Sequence, residues 1–216
     1  MRRISLCIAL LLTAALCAHG ETIYSVSMSN LSQLSSSFGS PLWLAFGLTD
    51  GSGAGDSNSA VALSKFLFTC SSPFCDTGPY GPPLTIGNPT GDLSSTVVLT
   101  DSDPFTYFQQ QFLVGDSLTF ELQLLTLTPE AGPIPDGFAF YILDSSGAAL
   151  PTLAPDGYSF LSATLDPVSP TVSPYGWSGN PSVIPTVTAV PEPAGMLVPV
   201  IVAFLALRKR HTRAGS

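Results

Sequence analysis

The 216-residue chain predicts an all-β fold, an antiparallel β-sandwich or jelly roll, with an apolar helix expected at each end. Apolar and polar side chains alternate in short stretches, as they do in strands that bury one face. Clusters of Gly, Pro and Asp separate those stretches. No internal segment carries a helical period with caps.

The strands follow in chain order. Tyr24, Val26 and Met28 alternate with Ser25 and Ser27, and Leu42, Leu44, Phe46 and Leu48 alternate with Trp43, Ala45 and Gly47. Further strands are expected over 60–68, 93–99, 117–125, 138–143 and 158–165. Within 117–125, Leu118, Phe120, Leu122 and Leu124 face one way, and Thr119, Glu121 and Gln123 the other. Turns are expected at Thr49-Asp50-Gly51-Ser52-Gly53, Gly91-Asp92, Pro135-Asp136-Gly137, Ser145-Ser146-Gly147 and Pro155-Asp156-Gly157. Phe46, Phe120, Phe138, Phe140 and Phe160 fall at strand positions that can build one core. Residues 21–165 are long enough for a single β-sandwich domain. Beyond Leu165 the texture changes, since seven of the 28 residues from Asp166 to Pro193 are proline. Residues 166–189 therefore read as a Pro/Ser/Thr-rich spacer.

The two ends carry an address. Arg2 and Arg3 precede an apolar stretch from Ile4 to Leu16, and small residues follow at Ala18 and Gly20. Residues 1–20 read as a signal peptide for Sec export and signal peptidase. Cys17 would be a lipoprotein site only with a small residue before it, and Leu16 stands there. At the other end Val190-Pro191-Glu192-Pro193 precedes an apolar run from Ala194 to Leu207. Arg208, Lys209, Arg210 and Arg213 then form a stop-transfer cluster. As a helix the run reaches roughly 21 Å against about 30 Å of hydrocarbon, which suits a transient transmembrane anchor in the inner membrane.

Composition narrows the function. Between Glu21 and Pro193 one lysine, Lys65, stands against all 15 acids, a charge of -14, and there is no Arg or His. A Ser-His-Asp or Cys-His triad and a His-ligated metal cannot be assembled there. Nucleic-acid binding is excluded likewise, because phosphates need cationic partners. The segment is expected to be non-enzymatic and to need no cofactor. Cys70 and Cys75 are its only cysteines and should pair in an oxidising compartment.

The order of Val190-Pro191-Glu192-Pro193, apolar run and basic tail resembles the PEP-CTERM sorting signal of Gram-negative bacteria, here over residues 190–213. The resemblance implies recognition and removal by the inner-membrane protease-transpeptidase exosortase, and release to the cell surface or extracellular matrix. The body resembles one group of PEP-CTERM proteins at Ile23–Ser27, Leu42–Phe46, Phe112–Phe120 and Phe138–Gly147. No activity comes with that likeness; it implies a role beside exopolysaccharide. A structural role without catalysis is therefore expected.

Two features could still carry chemistry. Asp50, Asp56 and Asn58 lie in a Gly/Ser-rich loop, and Asp101 and Asp103 flank Ser102. Oxygen-rich loops of this kind can hold calcium, although neither has EF-hand spacing and any turn uses the same residues. Trp43, Tyr80, Tyr107, Tyr175 and Trp177 could form a platform for stacking sugars. The alternative function is thus a carbohydrate-binding β-sandwich, assisted by calcium if the acidic loops hold an ion. A glycosidase would need two carboxylates facing across a cleft, which composition alone does not supply.

Overall fold

The computed structural model describes residues 21–72, 75–126, 134–166 and 169–191. Eleven strands and one short helix are β1 (Glu21–Ser29), α1 (Ser32–Phe38), β2 (Leu42–Thr49), β3 (Ser59–Thr69), β4 (Gly78–Ile86), β5 (Val97–Thr100), β6 (Phe105–Leu113), β7 (Ser117–Thr126), β8 (Asp136–Leu143), β9 (Leu161–Leu165), β10 (Thr171–Pro174) and β11 (Thr186–Val190). They form two sheets, a five-stranded one in the order β11-β1-β7-β3-β5 and a six-stranded one in the order β10-β9-β8-β2-β6-β4. Every strand pairing is antiparallel, so the described residues form an all-β fold.

The alternation expected from the sequence sets which face each sheet buries. Val26, Val61, Leu63, Leu118, Phe120 and Leu122 are buried from the five-stranded sheet, and Leu44, Phe46, Phe108, Phe138 and Phe140 from the six-stranded one. The two sets meet in one cluster. Phe46 lies at its centre, 6.0 Å from Phe120 across the inter-sheet space and 5.5 Å from Phe140 within its own sheet. Burial of these rings is the main source of stability, and offset or edge-on ring pairs add to it.

Three differences from the sequence reading have physical reasons. Most of the expected spacer 166–189 is part of the fold. Thr171–Pro174 pairs with β9, Thr186–Val190 pairs with β1, and Val183 is wholly buried between them. The prolines permit this because Pro174 ends β10 and Pro185 immediately precedes β11, positions where a missing N–H costs no ladder bond. Secondly, β4 is masked in the sequence by Pro79, Pro82 and Pro83; it is an edge strand whose register shifts between Tyr80 and Leu84. Thirdly, α1 is too short to show a period, and is held by Leu31 and Leu34, both fully buried. Two expected strands are also shorter than read, since only Val97–Thr100 and Leu161–Leu165 pair.

Cys70 and Cys75 form a disulfide with their Cα atoms 6.2 Å apart, in the connection between β3 and β4. The expected signal peptide, Glu192, Pro193, the apolar run 194–207 and the basic residues Arg208, Lys209, Arg210 and Arg213 lie outside the described residues. Val190 ends β11 and Pro191 follows it. Among the described residues no helix is long and apolar enough to cross a membrane.

Candidate functional site: an aromatic outer face

The face of the six-stranded sheet that points away from the core carries the largest set of unspent aromatic side chains. Residues directly opposite in an antiparallel pair share a face. Since Leu44 and Phe46 face the core, Trp43, Ala45 and Gly47 face outward. The register lays Tyr80, Gln111 and Trp43 in one row across β4, β6 and β2. Leu84, Gln109, Ala45 and Tyr141 form the next row, and Ile86, Tyr107, Gly47 and Ala139 the third.

Small residues in the middle decide the shape. Ala45 and Gly47 are buried although they point outward, which requires their neighbours' side chains to lie over them. A Cβ on Gly47 would stand 3.4 Å from the Phe105 ring and 3.8 Å from that of Tyr107. Those two rings are stacked, with centroids 5.9 Å apart. The outcome is a layer of rings lying along the sheet. Its outer edge is apolar too, with Tyr80, Leu84 and Ile86 each more than half exposed.

Polar groups within the layer are few and directed. Tyr107 Oη donates to Gln109 Oε1 at 2.9 Å. Burial, and secondarily the neighbouring Tyr141, push the Tyr107 phenol up to about 12. Burial and then Asp156 also raise Tyr141. Both phenols therefore remain neutral hydrogen-bonding groups at any physiological pH. The Trp43 Nε1–H is buried without a hydrogen-bond partner. Such an unmet donor costs stability.

Of the five aromatics expected to form a platform, the structure thus brings Trp43, Tyr80 and Tyr107 to one face. Tyr175 adjoins it, its Oη 3.4 Å from Ser162 Oγ in the strand beyond β8. Trp177 does not belong there. Its ring packs edge-on against Phe38 at 5.6 Å and onto the core. Sequence reasoning missed Tyr141, Gln109 and Gln111, although Phe105, Tyr107, Gln109 and Gln111 alternate visibly with buried Thr106, Phe108 and Gln110.

Most carboxylates of the two acidic segments bond the backbone of their own loops or of neighbouring strand ends. Asp50 accepts backbone N–H bonds from Ser52, Gly53 and Gly55. Burial works to raise its pKa, but those bonds and the Ser52 hydroxyl outweigh it and hold the carboxyl below its ordinary range. Asp56 accepts from the Asn58 backbone at 3.2 Å and side chain at 2.8 Å. Asp101 accepts from the backbones of Asn58 and Ser59 at 3.2 and 2.9 Å. Asp103 is half-buried and turns away to Asn88 Nδ2 at 3.3 Å. Among the described residues no three His, Cys, Asp or Glu side chains converge as a ready-made metal site.

No family model, curated protein or solved structure matches this chain.

Proposed function

We propose that this is an exported, non-enzymatic β-sandwich protein of the cell surface or exopolysaccharide matrix, whose aromatic outer face holds it to neutral polysaccharide. The observation that carries the reading is the assembly of Trp43, Tyr80 and Tyr107 with Gln109 and Gln111 on one face, from strands far apart in sequence. Aromatic faces match the apolar faces of pyranose rings, and amides and phenols match their hydroxyls. Neutral sugar suits a domain with Lys65 as its one cation, because an acidic polymer would be repelled. The non-enzymatic part of the reading rests on a body without Arg or His.

Delivery to that layer is read from the ends. The Sec-type leader would bring the chain across the inner membrane, and exosortase would act at the segment beginning Val190-Pro191-Glu192-Pro193, while Arg208 to Arg213 hold the tail inside. The intact mass of the protein recovered from its native envelope tests this part. A mass ending near Pro193 supports sorting, and one retaining Ser216 refutes it. Affinity electrophoresis through the producer's own polymer tests binding. Retardation that Trp43→Ala and Tyr107→Ala each reduce at least about tenfold, or about 1.4 kcal/mol, supports the face. Retardation unaltered by both refutes it.

A further inference from the structure

The inward-facing rows of four strands end in oxygen instead of carbon at one end of the core. On β2 the row Leu44, Phe46, Leu48 continues to Asp50; on β8 the row Ile142, Phe140, Phe138 continues to Asp136. On β3 Leu63 and Val61 continue to Ser59, and β5's Val97 and Leu99 continue to Asp101. All four polar residues are buried, Asp101 at 0% and Asp136 at 1% exposure. Asp136 and Asp56 are the charges that bear on Asp101. Among the described residues no cation answers them, since Lys65 pairs with Glu121 on the exposed surface.

Part of this end is explained by the loop that covers it. Asp50 is spent on its own loop, and one Asp136 oxygen accepts the Gly51 N–H at 2.8 Å. The loop is clamped on both sides. A Cβ on Gly51 would stand 2.0 Å from Ile134 O, and one on Gly55 2.6 Å from Ser102 O. Two buried oxygens remain without any partner, Asp101 Oδ1 and Ser59 Oγ. They sit on adjacent strand ends, joined by the bond from Asp101 N to Ser59 O. A buried carboxylate oxygen beside a second carboxylate, with a hydroxyl next to it and no basic side chain, is an environment that favours a hard cation.

We infer that this end of the core is a calcium site, with Asp101 Oδ1 and Ser59 Oγ as ligands and Asp136 supplying the second carboxylate. Neutral oxygens fill the remaining positions, as calcium accepts carbonyl, hydroxyl and water ligands in flexible numbers. The site lies at the end of the core, apart from the outward aromatic face, and does not depend on sugar binding. Its consequence is structural: an ion there would join the β2–β3 loop, the β5–β6 turn and the start of β8.

The test is thermal unfolding of the full chain, stripped with chelator and then supplied with calcium chloride. At calcium one hundred times its Kd, the midpoint should rise by about 5–10 °C. Asp101→Asn and Ser59→Ala should each remove most of that rise. Asp101→Asn also keeps an oxygen for the Asn58 and Ser59 N–H groups, so it should fold without metal. No rise at millimolar calcium overturns the assignment. A full rise retained in both variants overturns it equally, because the ion would then bind elsewhere.

Discussion

Replacing Asp101 by Asn in metal-free protein should stabilise it near neutral pH and leave it nearly unchanged near pH 4. Burial, opposed by the Ser59 N–H and reinforced by Asp136 and Asp56, pushes the Asp101 carboxyl from 3.8 up to about 7. A raised carboxyl pKa means that the folded state binds the proton more tightly than the unfolded one. Its contribution to stability is complete below about 4 and is lost as pH climbs to about 7. That span is worth about 4 kcal/mol at most. Even buried sites respond with an effective dielectric of about 20, well above that of dry protein, so roughly 2 kcal/mol is the expected loss. Asparagine carries no charge over this range. Its oxygen can take the two backbone N–H bonds, and its amide can face Asp136. The assay is urea unfolding followed by tryptophan fluorescence at intervals from pH 4 to 8, with chelator present. Asp50, Asp144 and Asp156 have lowered pKa values and lose their contributions only as pH falls below the ordinary carboxylate range, so they cancel in the difference. A difference between the two proteins that stays constant across the range, or shrinks as pH rises, refutes the reasoning.

Phe46→Ala should cost about 4 kcal/mol, toward the upper part of the range for buried Phe, because its ring meets Phe66, Phe108, Phe120, Phe138 and Phe140. Urea midpoints measure it, with Leu67→Ala on the exposed surface as a control that should move by about 0.5 kcal/mol or less. Reducing the Cys70–Cys75 bond should lower stability by about 2 kcal/mol, the loop-closure entropy of so small a ring. Binding at the aromatic face should survive reduction, and its loss would place the disulfide within the site.

Much of the fold could be read from the sequence because alternation reports burial directly. Leu118, Phe120, Leu122 and Leu124 are buried as a set, as their spacing predicts. What escaped was structure that needs a partner to be recognised. Residues 171–174 and 186–190 have no strong alternation of their own, and are strands because β9 and β1 offer open edges. Strand β6 alternates, but its buried row does not read as apolar, because Thr106 and Gln110 take inward positions and Gln110 bonds the backbones of Leu93 and Gly81. The site was half legible for a related reason. Trp43 is visibly out of phase with Leu44 and Phe46, but register across β4, β6 and β8 is needed to learn that Tyr80, Tyr107 and Tyr141 join it. The oxygen-lined end of the core shows the same limit, because Ser59 and Asp136 look like ordinary turn residues until four strand ends are superposed.

The pairing of β1 with β11 also decides how the protein answers force. Ile23 lies opposite Val190 and Ser27 opposite Thr186, so the first and last described residues leave the same end of one ladder. Antiparallel hydrogen bonds lie across the strands, and a pull that separates the two ends loads them one after another. The ladder opens like a zip, at low tension, with Val190 first. Behind it lies the next seam, β1 against β7, which extends over nine residue pairs. The described fold is thus softest at the seam where Glu21 and Pro191 leave it. Tension applied at those two points would first lay bare the edge of β1, in the sheet that does not carry the aromatic face.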